Sequence, residues 1–210
     1  MTTTTPAKAW AEMKAGNERF VTGTPKHPRQ DVERREAIAA GQAPHAALFG
    51  CADSRLAAEI IFDRGLGDLF VVRNAGQIIS ESVVGSLEYA VGVLGVPLIV
   101  VLGHDECGAV LAALESTKPG SAPLPLHIRR LIDRIVPAAM RVAARTEGAH
   151  AHELDPHEVG REHLRDTIAE LLESSTMISN AVAAGTLAVV GANYRLAAGR
   201  VEPDVVVGQI

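Results

Sequence analysis

"VGVLGVPLIVVLGHDECGAV", residues 91–110, is the stretch on which the reading of the fold turns. Its centre, "PLIVVL" (97–102), is a short apolar run with Gly95 before it and Gly103 after it. Such a run reads as a strand buried on both faces. "CGAVLAALE", from Cys107, reads as a helix that begins three residues past His104. Strand, turn and helix follow one another within a few residues, as in one half of a parallel β–α unit.

The same punctuation recurs along the chain. "AALFG" (46–50), "LFVV" (69–72) and "LAVVGANY" (187–194) are three further candidate buried strands. Helical patterns separate them. Thr5-Pro6 caps a first helix that carries Trp10, Met13, Asn17, Phe20 and Val21 on one face. "DVERREAIAAG" (31–41), "AAEIIFD" (57–63) and "SVVGSLEYAVGVLG" (82–95) are the next candidates. Asp155, Pro156 and Glu158 open another helix, whose stripe of Val159, Leu164, Ile168, Leu171 and Leu172 should face a core. This alternation predicts an α/β fold, with a mainly parallel central sheet flanked by helices. The 210 residues suit a single domain, 1–210, and Thr117–Pro125 with its three prolines is expected to be a surface loop.

The totals restrict the function classes. Hydrophobic residues make up 47% and charged residues 21%, a globular composition. A net charge of −5 with no basic run argues against nucleic acid or an anionic membrane as partner. The longest apolar stretch, residues 91–103, is interrupted by glycine and proline and falls short of the ~20 residues of a membrane helix. "MTTTTPAKAW" lacks the features of a secretory signal, so the expected location is the cytoplasm.

In that compartment two cysteines are not a disulfide framework. Cys51 follows one predicted strand and His104 another, which places both at the carboxyl edge of a parallel sheet. Cys107 stands at a helix start, where the dipole favours thiolate. Two thiolates and an imidazole form a three-ligand set of the catalytic zinc type, with a fourth position open to water. Sulfur ligands disfavour magnesium and calcium. "FGCADSRLAAE" (49–59) adds Asp53 and Arg55 at alternate positions after Cys51. Away from a metal they would read as a structural ion pair.

"CADSR" followed by "EYAVGVLGVPLIVVLGHDECGAV" closely resembles the beta-class carbonic anhydrases, zinc enzymes that interconvert carbon dioxide and bicarbonate. The similarity runs from the first helix to about Gly199 and includes "LFVVRNAG". The resemblance implies one zinc per chain on Cys51, His104 and Cys107, with Asp53 and Arg55 as the catalytic pair, and hydration of carbon dioxide by zinc-bound hydroxide. It implies a substrate pocket at a dimer interface, to which Gln42, Phe70, Ala75, Tyr89 and Gly108 correspond. A homodimer or tetramer is expected, with residues 1–22 as a helical arm on the partner subunit. In some relatives a regulatory bicarbonate pocket needs a tryptophan where this chain has Leu48, although Arg73 and Tyr194 match its other members. That regulation is not expected here.

Other readings compete. The same site could hydrolyse carbonyl sulfide or carbon disulfide, or the chain could be a non-enzymatic zinc protein that senses bicarbonate. An intact Asp53–Arg55 pair opposes the latter. A dithiol redox role is disfavoured because the cysteines are far apart rather than two residues apart. His150, His152, His157 and His163 form a histidine-rich tract whose spacing suits no usual ligand set. "RGLGDLF" (64–70) fails as a dinucleotide loop because Phe70 replaces the last glycine.

Overall fold

The computed structural model describes residues 4–210. Helices α1 (Pro6–Val21) and α2 (Val32–Ala37) precede an alternating run of β1 (Ala46–Cys51), α3 (Ala58–Ile61), β2 (Leu69–Asn74), α4 (Glu81–Gly92) and β3 (Leu98–His104). Five helices follow: α5 (Gly108–Ser116), α6 (Leu126–Ile132), α7 (Val136–Arg145), α8 (Pro156–Ser174) and α9 (Thr176–Ala183). Strands β4 (Ala188–Arg195) and β5 (Arg200–Val207) come last. The strands form one sheet in the order β2-β1-β3-β4-β5. The first four are parallel, and β5 runs antiparallel to β4. The expected architecture is the one observed.

Every residue of β1 and β3 is buried, which explains why these strands read as continuous apolar runs. Alternate residues feed two cores. Leu48, Val100 and Val190 pack on the side of α1, α3, α5 and α7. Phe49, Ile99 and Val189 pack on the side of α4, α8 and α9. Burying a large aliphatic side chain is worth about 1.5–3 kcal/mol, so a sheet covered on both faces sets the strand register strongly.

The predicted α8 stripe faces the core as expected at Val159, Leu164, Ile168 and Leu171, while Leu172 is only partly buried. Asp155 caps that helix by accepting from the His157 amide at 2.9 Å. Residues 117–125 form a turn and irregular loop, also as expected.

Several sequence readings need correction. β2, read as a buried strand, is the edge of the sheet, and most of its residues are only half-buried. β5 escaped notice because Pro203 and the acids Glu202 and Asp204 break an apolar pattern. Proline is tolerated there since β5 is an edge strand and its ladder slips register between Gly191 and Ala192. Helices α6, α7 and α9 were not anticipated. Within its own chain α1 packs on α3, β3 and β5, with Trp10 and Met13 4% and 1% exposed.

Candidate metal centre

β1 and β3 are neighbours, but the chain leaves β1 for one edge of the sheet and β3 for the other. The carboxyl ends of two such strands frame a crevice. Cys51 is the last residue of β1 and His104 the last of β3. Asp105 and Glu106 then turn the chain, Glu106 in the left-handed region at φ 51°. The Asp105 carboxylate pins the turn by accepting from the Leu196 amide at 2.9 Å. Cys107 is the N-cap of α5. Its position at the start of a helix, read from sequence, is the observed one.

These elements bring Cys51, His104 and Cys107 together, with one ligand atom from each within 4.8 Å of the others. All three residues are buried. Among the described residues this is the one group of three or more such side chains gathered closely enough to hold a metal. The histidine-rich tract forms no comparable group: His150 and His152 stack on each other, and His163 points into the core.

The chemistry of the donors suits a metal. His104 Nδ1 lies 2.7 Å from the Asp105 carbonyl and donates to it, which leaves Nε2 with a free lone pair. That Nε2 is buried without a hydrogen-bond partner. Two sulfurs and an imidazole nitrogen are the donor types that zinc takes, and their mutual approach within 4.8 Å would let one ion reach all three. Hydrogen bonding from the Cys107 thiol, with further help from His104 and the Gly76 amide, outweighs burial and brings the Cys51 pKa down to about 4. The Gly76 N–H lies 3.4 Å from Cys51 Sγ. The Cys107 thiol is pushed up, by its bond to Cys51 and by burial. Burial opposes protonation of His104, but the neighbouring Cys51 thiolate prevails and raises its pKa. A cation in this place would stabilise both thiolates and the neutral imidazole.

Asp53 and Arg55 form the pair that the sequence suggested. Arg55 Nε donates to one carboxylate oxygen at 2.9 Å and Nη2 to the other at 2.7 Å, a bidentate grip. The Arg55 backbone amide adds a third bond at 2.9 Å. Arg55 therefore holds the Asp53 carboxyl far below the usual carboxylate range. Nη2 also reaches the Glu106 carbonyl at 3.2 Å, which ties this loop to the His104–Cys107 turn.

Arg73 is a site residue whose part the sequence did not reveal. It donates to the Cys51 carbonyl at 2.9 Å and to the Asp53 carbonyl at 2.6 Å, clamping the loop between them. Nothing local marked it: Arg73 is itself exposed, and the carbonyls it meets lie 22 and 20 residues earlier in the chain. Leu48 is buried within β1, and Tyr194 is buried on β4.

The residues matched to a substrate pocket are less tightly gathered. The Phe70 and Tyr89 rings are tilted against each other at 6.1 Å between centroids. Gln42, Ala75 and Gly108 are exposed, and Tyr89 is 46% exposed.

Comparison with known proteins agrees with this geometry. The family model described as carbonic anhydrase matches residues 46–201. Carbonic anhydrase 2 of Mycobacterium tuberculosis is 50% identical over 200 residues, covering 95% of this chain and 93% of that protein. The carbonic anhydrase of Mycolicibacterium smegmatis is 48% identical over 202 residues, 96% of this chain and 95% of that protein. Among solved structures, a Coccomyxa beta-carbonic anhydrase in complex with acetazolamide aligns with TM-score 0.69 at 27% identity, over 94% of this chain and 82% of that one. One of two tetrameric beta-carbonic anhydrases from Sordaria macrospora aligns with TM-score 0.68 at 26% identity, over 94% and 92% of the two chains. A match that spans nearly the whole chain, in sequence and in fold, leaves one conclusion: this chain belongs to the beta-class carbonic anhydrases.

Proposed function

We propose that the protein catalyses the reversible hydration of carbon dioxide to bicarbonate and a proton, with one zinc ion per chain on Cys51, His104 and Cys107. The observation that carries this reading is the buried sulfur–sulfur–imidazole cluster beside an ionised, bidentately held aspartate. Bound there, zinc would acidify a coordinated water into a nucleophile near neutral pH, with two thiolates offsetting its charge so that activity leans alkaline.

The chain's own groups supply orientation. Asp53 is held ionised, so it can only accept a hydrogen bond. It takes that bond from the attacking water and turns the water's lone pair toward the substrate carbon. Arg55 fixes the carboxylate plane, and Arg73 fixes the backbone on either side of Ala52. A carboxylate held this firmly ionised is not the group that stores the proton released by hydration. Phe70, Ala75 and Tyr89 offer an apolar wall to a nonpolar gas, Gln42 an amide donor, and Gly108 an open approach beside the Cys107 sulfur. Tyr89 in α4 and Val93 at its C-terminal end are exposed apolar side chains. A second copy of the chain placed there would complete the pocket, in keeping with a homodimer or tetramer.

No helix among the described residues is long and apolar enough to cross a membrane. A cytoplasmic enzyme acting on small molecules is the reading that fits. Stopped-flow carbon dioxide hydration across pH, on protein of measured zinc content, tests the proposal. Zinc-loaded protein without hydration activity would overturn it.

A further inference from the structure

α8 presents an apolar stripe to the sheet, yet three of its buried residues are polar: Glu162, which Arg141 and Arg145 hold, and the pair His163 and Thr167. The last two are one helical turn apart and share a face. His163 is 3% exposed, and its Nε2 lies 2.7 Å from the Gly76 carbonyl, 87 residues away in the chain. The other ring nitrogen, Nδ1, is buried with no hydrogen-bond partner. An imidazole buried with half of its polar groups unmet costs more than a leucine would in the same stripe. The contact with Gly76 is what the ring achieves in return.

Gly76 stands in a turn that needs holding. Both Gly76 and Gln77 adopt positive φ, 78° and 40°. A Cβ at Gly76 would come within 2.9 Å of Ile135 Cδ1 and 3.0 Å of Ala109 Cβ, so space as well as backbone conformation demands glycine. Glycine also has the widest choice of alternatives. Its amide points at Cys51 Sγ, at 3.4 Å, while its carbonyl points at His163. Rotation about either backbone bond of Gly76 would uncouple the two contacts. Nearby, Asn74 accepts from the Ile78 amide at 2.9 Å and donates to its carbonyl at 2.8 Å, closing the turn from the other end.

We propose that His163 is a positioning residue for the metal centre: its Nε2–H anchors the Gly76 carbonyl and thereby aims the Gly76 N–H at the Cys51 sulfur. The proposal rests on the reading of Cys51 as a zinc ligand. An amide aimed at a thiolate sulfur withdraws charge from it and holds its lone pairs in a fixed direction, so it governs how the sulfur meets a metal. The carbonyl can only accept, so the ring must donate from Nε2, and burial, which pushes the imidazole toward its neutral form, leaves Nδ1 bare. The unpartnered Nδ1 follows from this arrangement.

The test uses the full-length protein with His163→Leu, His163→Gln and Thr167→Val. Zinc affinity is measured by competition with a chromogenic chelator, and the cobalt-loaded proteins are compared by their sulfur-to-metal charge-transfer bands. His163→Leu should weaken zinc binding about tenfold and shift the band. His163→Gln, whose side-chain amide can donate to the same carbonyl, should restore both, and Thr167→Val, which gives up the helix's own His163 carbonyl and only a long 3.4 Å approach to the Gln77 carbonyl, should match the parent. Equal affinity and an unchanged band in His163→Leu, or equal weakening in Thr167→Val, would overturn the proposal. If the leucine variant does not fold, imidazole ¹⁵N spectra of the parent decide. A neutral Nε2–H tautomer at His163 supports the anchor, and an Nδ1–H tautomer overturns it. A parent protein that bound no zinc would instead overturn the zinc reading itself.

Discussion

Asn17, in α1, donates through Nδ2 to the carbonyl of Gly199 at 2.8 Å, 182 residues further along the chain. The same amide group donates to the Ile61 carbonyl at 3.1 Å, and Oδ1 accepts from the Val201 amide at 2.9 Å. One buried side chain thus joins α1, the end of α3 and the start of β5. Asn17→Ala should cost about 2–4 kcal/mol, since it strands several buried backbone groups. Asn17→Asp should be worse at neutral pH, because a carboxylate cannot donate to two carbonyls. Urea unfolding checks both: the midpoint should fall while the slope stays constant.

Asp63 gathers the segment after α1. It accepts from the Lys26 and His27 amides, at 3.0 and 2.9 Å, and from Arg19 Nε at 2.5 Å. Burial alone would raise its pKa, but the two amides and the guanidinium together lower it. A depressed carboxylate adds stability that is present above its unfolded pKa, about 3.9, and lost as pH falls through the folded value. Stability should therefore drop below about pH 4 in the parent. Asp63→Asn should be less stable at neutral pH and show a flatter acid limb, read from urea midpoints at several pH values.

Arg55→Lys retains charge but cannot grip both carboxylate oxygens. Misdirecting Asp53 should reduce kcat by about a hundredfold while zinc content stays at the parent level. Stopped-flow rates beside metal analysis separate the two effects. Loss of zinc along with activity would contradict the role assigned to Arg55.

Cys51→Ser should lose most of its zinc, because a hydroxyl stays protonated where a thiolate would bind. Chelator treatment of the parent should abolish hydration, and added zinc should restore it. A serine variant with full metal and full activity would refute the ligand assignment.

The strands and the metal cluster were legible because their signals are local. A run such as "PLIVVL" between glycines is a strand wherever it sits, and a residue immediately after it lies at the sheet's carboxyl edge. That was enough to bring Cys51 and His104 to one edge, and the helix starting at Cys107 supplied the third member of the cluster. The Asp53–Arg55 pair was equally near at hand, two residues apart on one loop.

What only the tertiary structure decided involves partners remote in sequence. β5 is held by pairing with β4 and by contacts from α1, so its proline and acids could not advertise a strand. β2 is apolar like β1, and only the strand order makes it an edge. The hold of Arg73 on the Cys51–Asp53 loop and that of His163 on Gly76 span 22 and 87 residues. Local composition determines which backbone conformation and which face a residue takes. Which distant group meets it there depends on how the chain as a whole buries its apolar surface, and no short stretch of sequence contains that information.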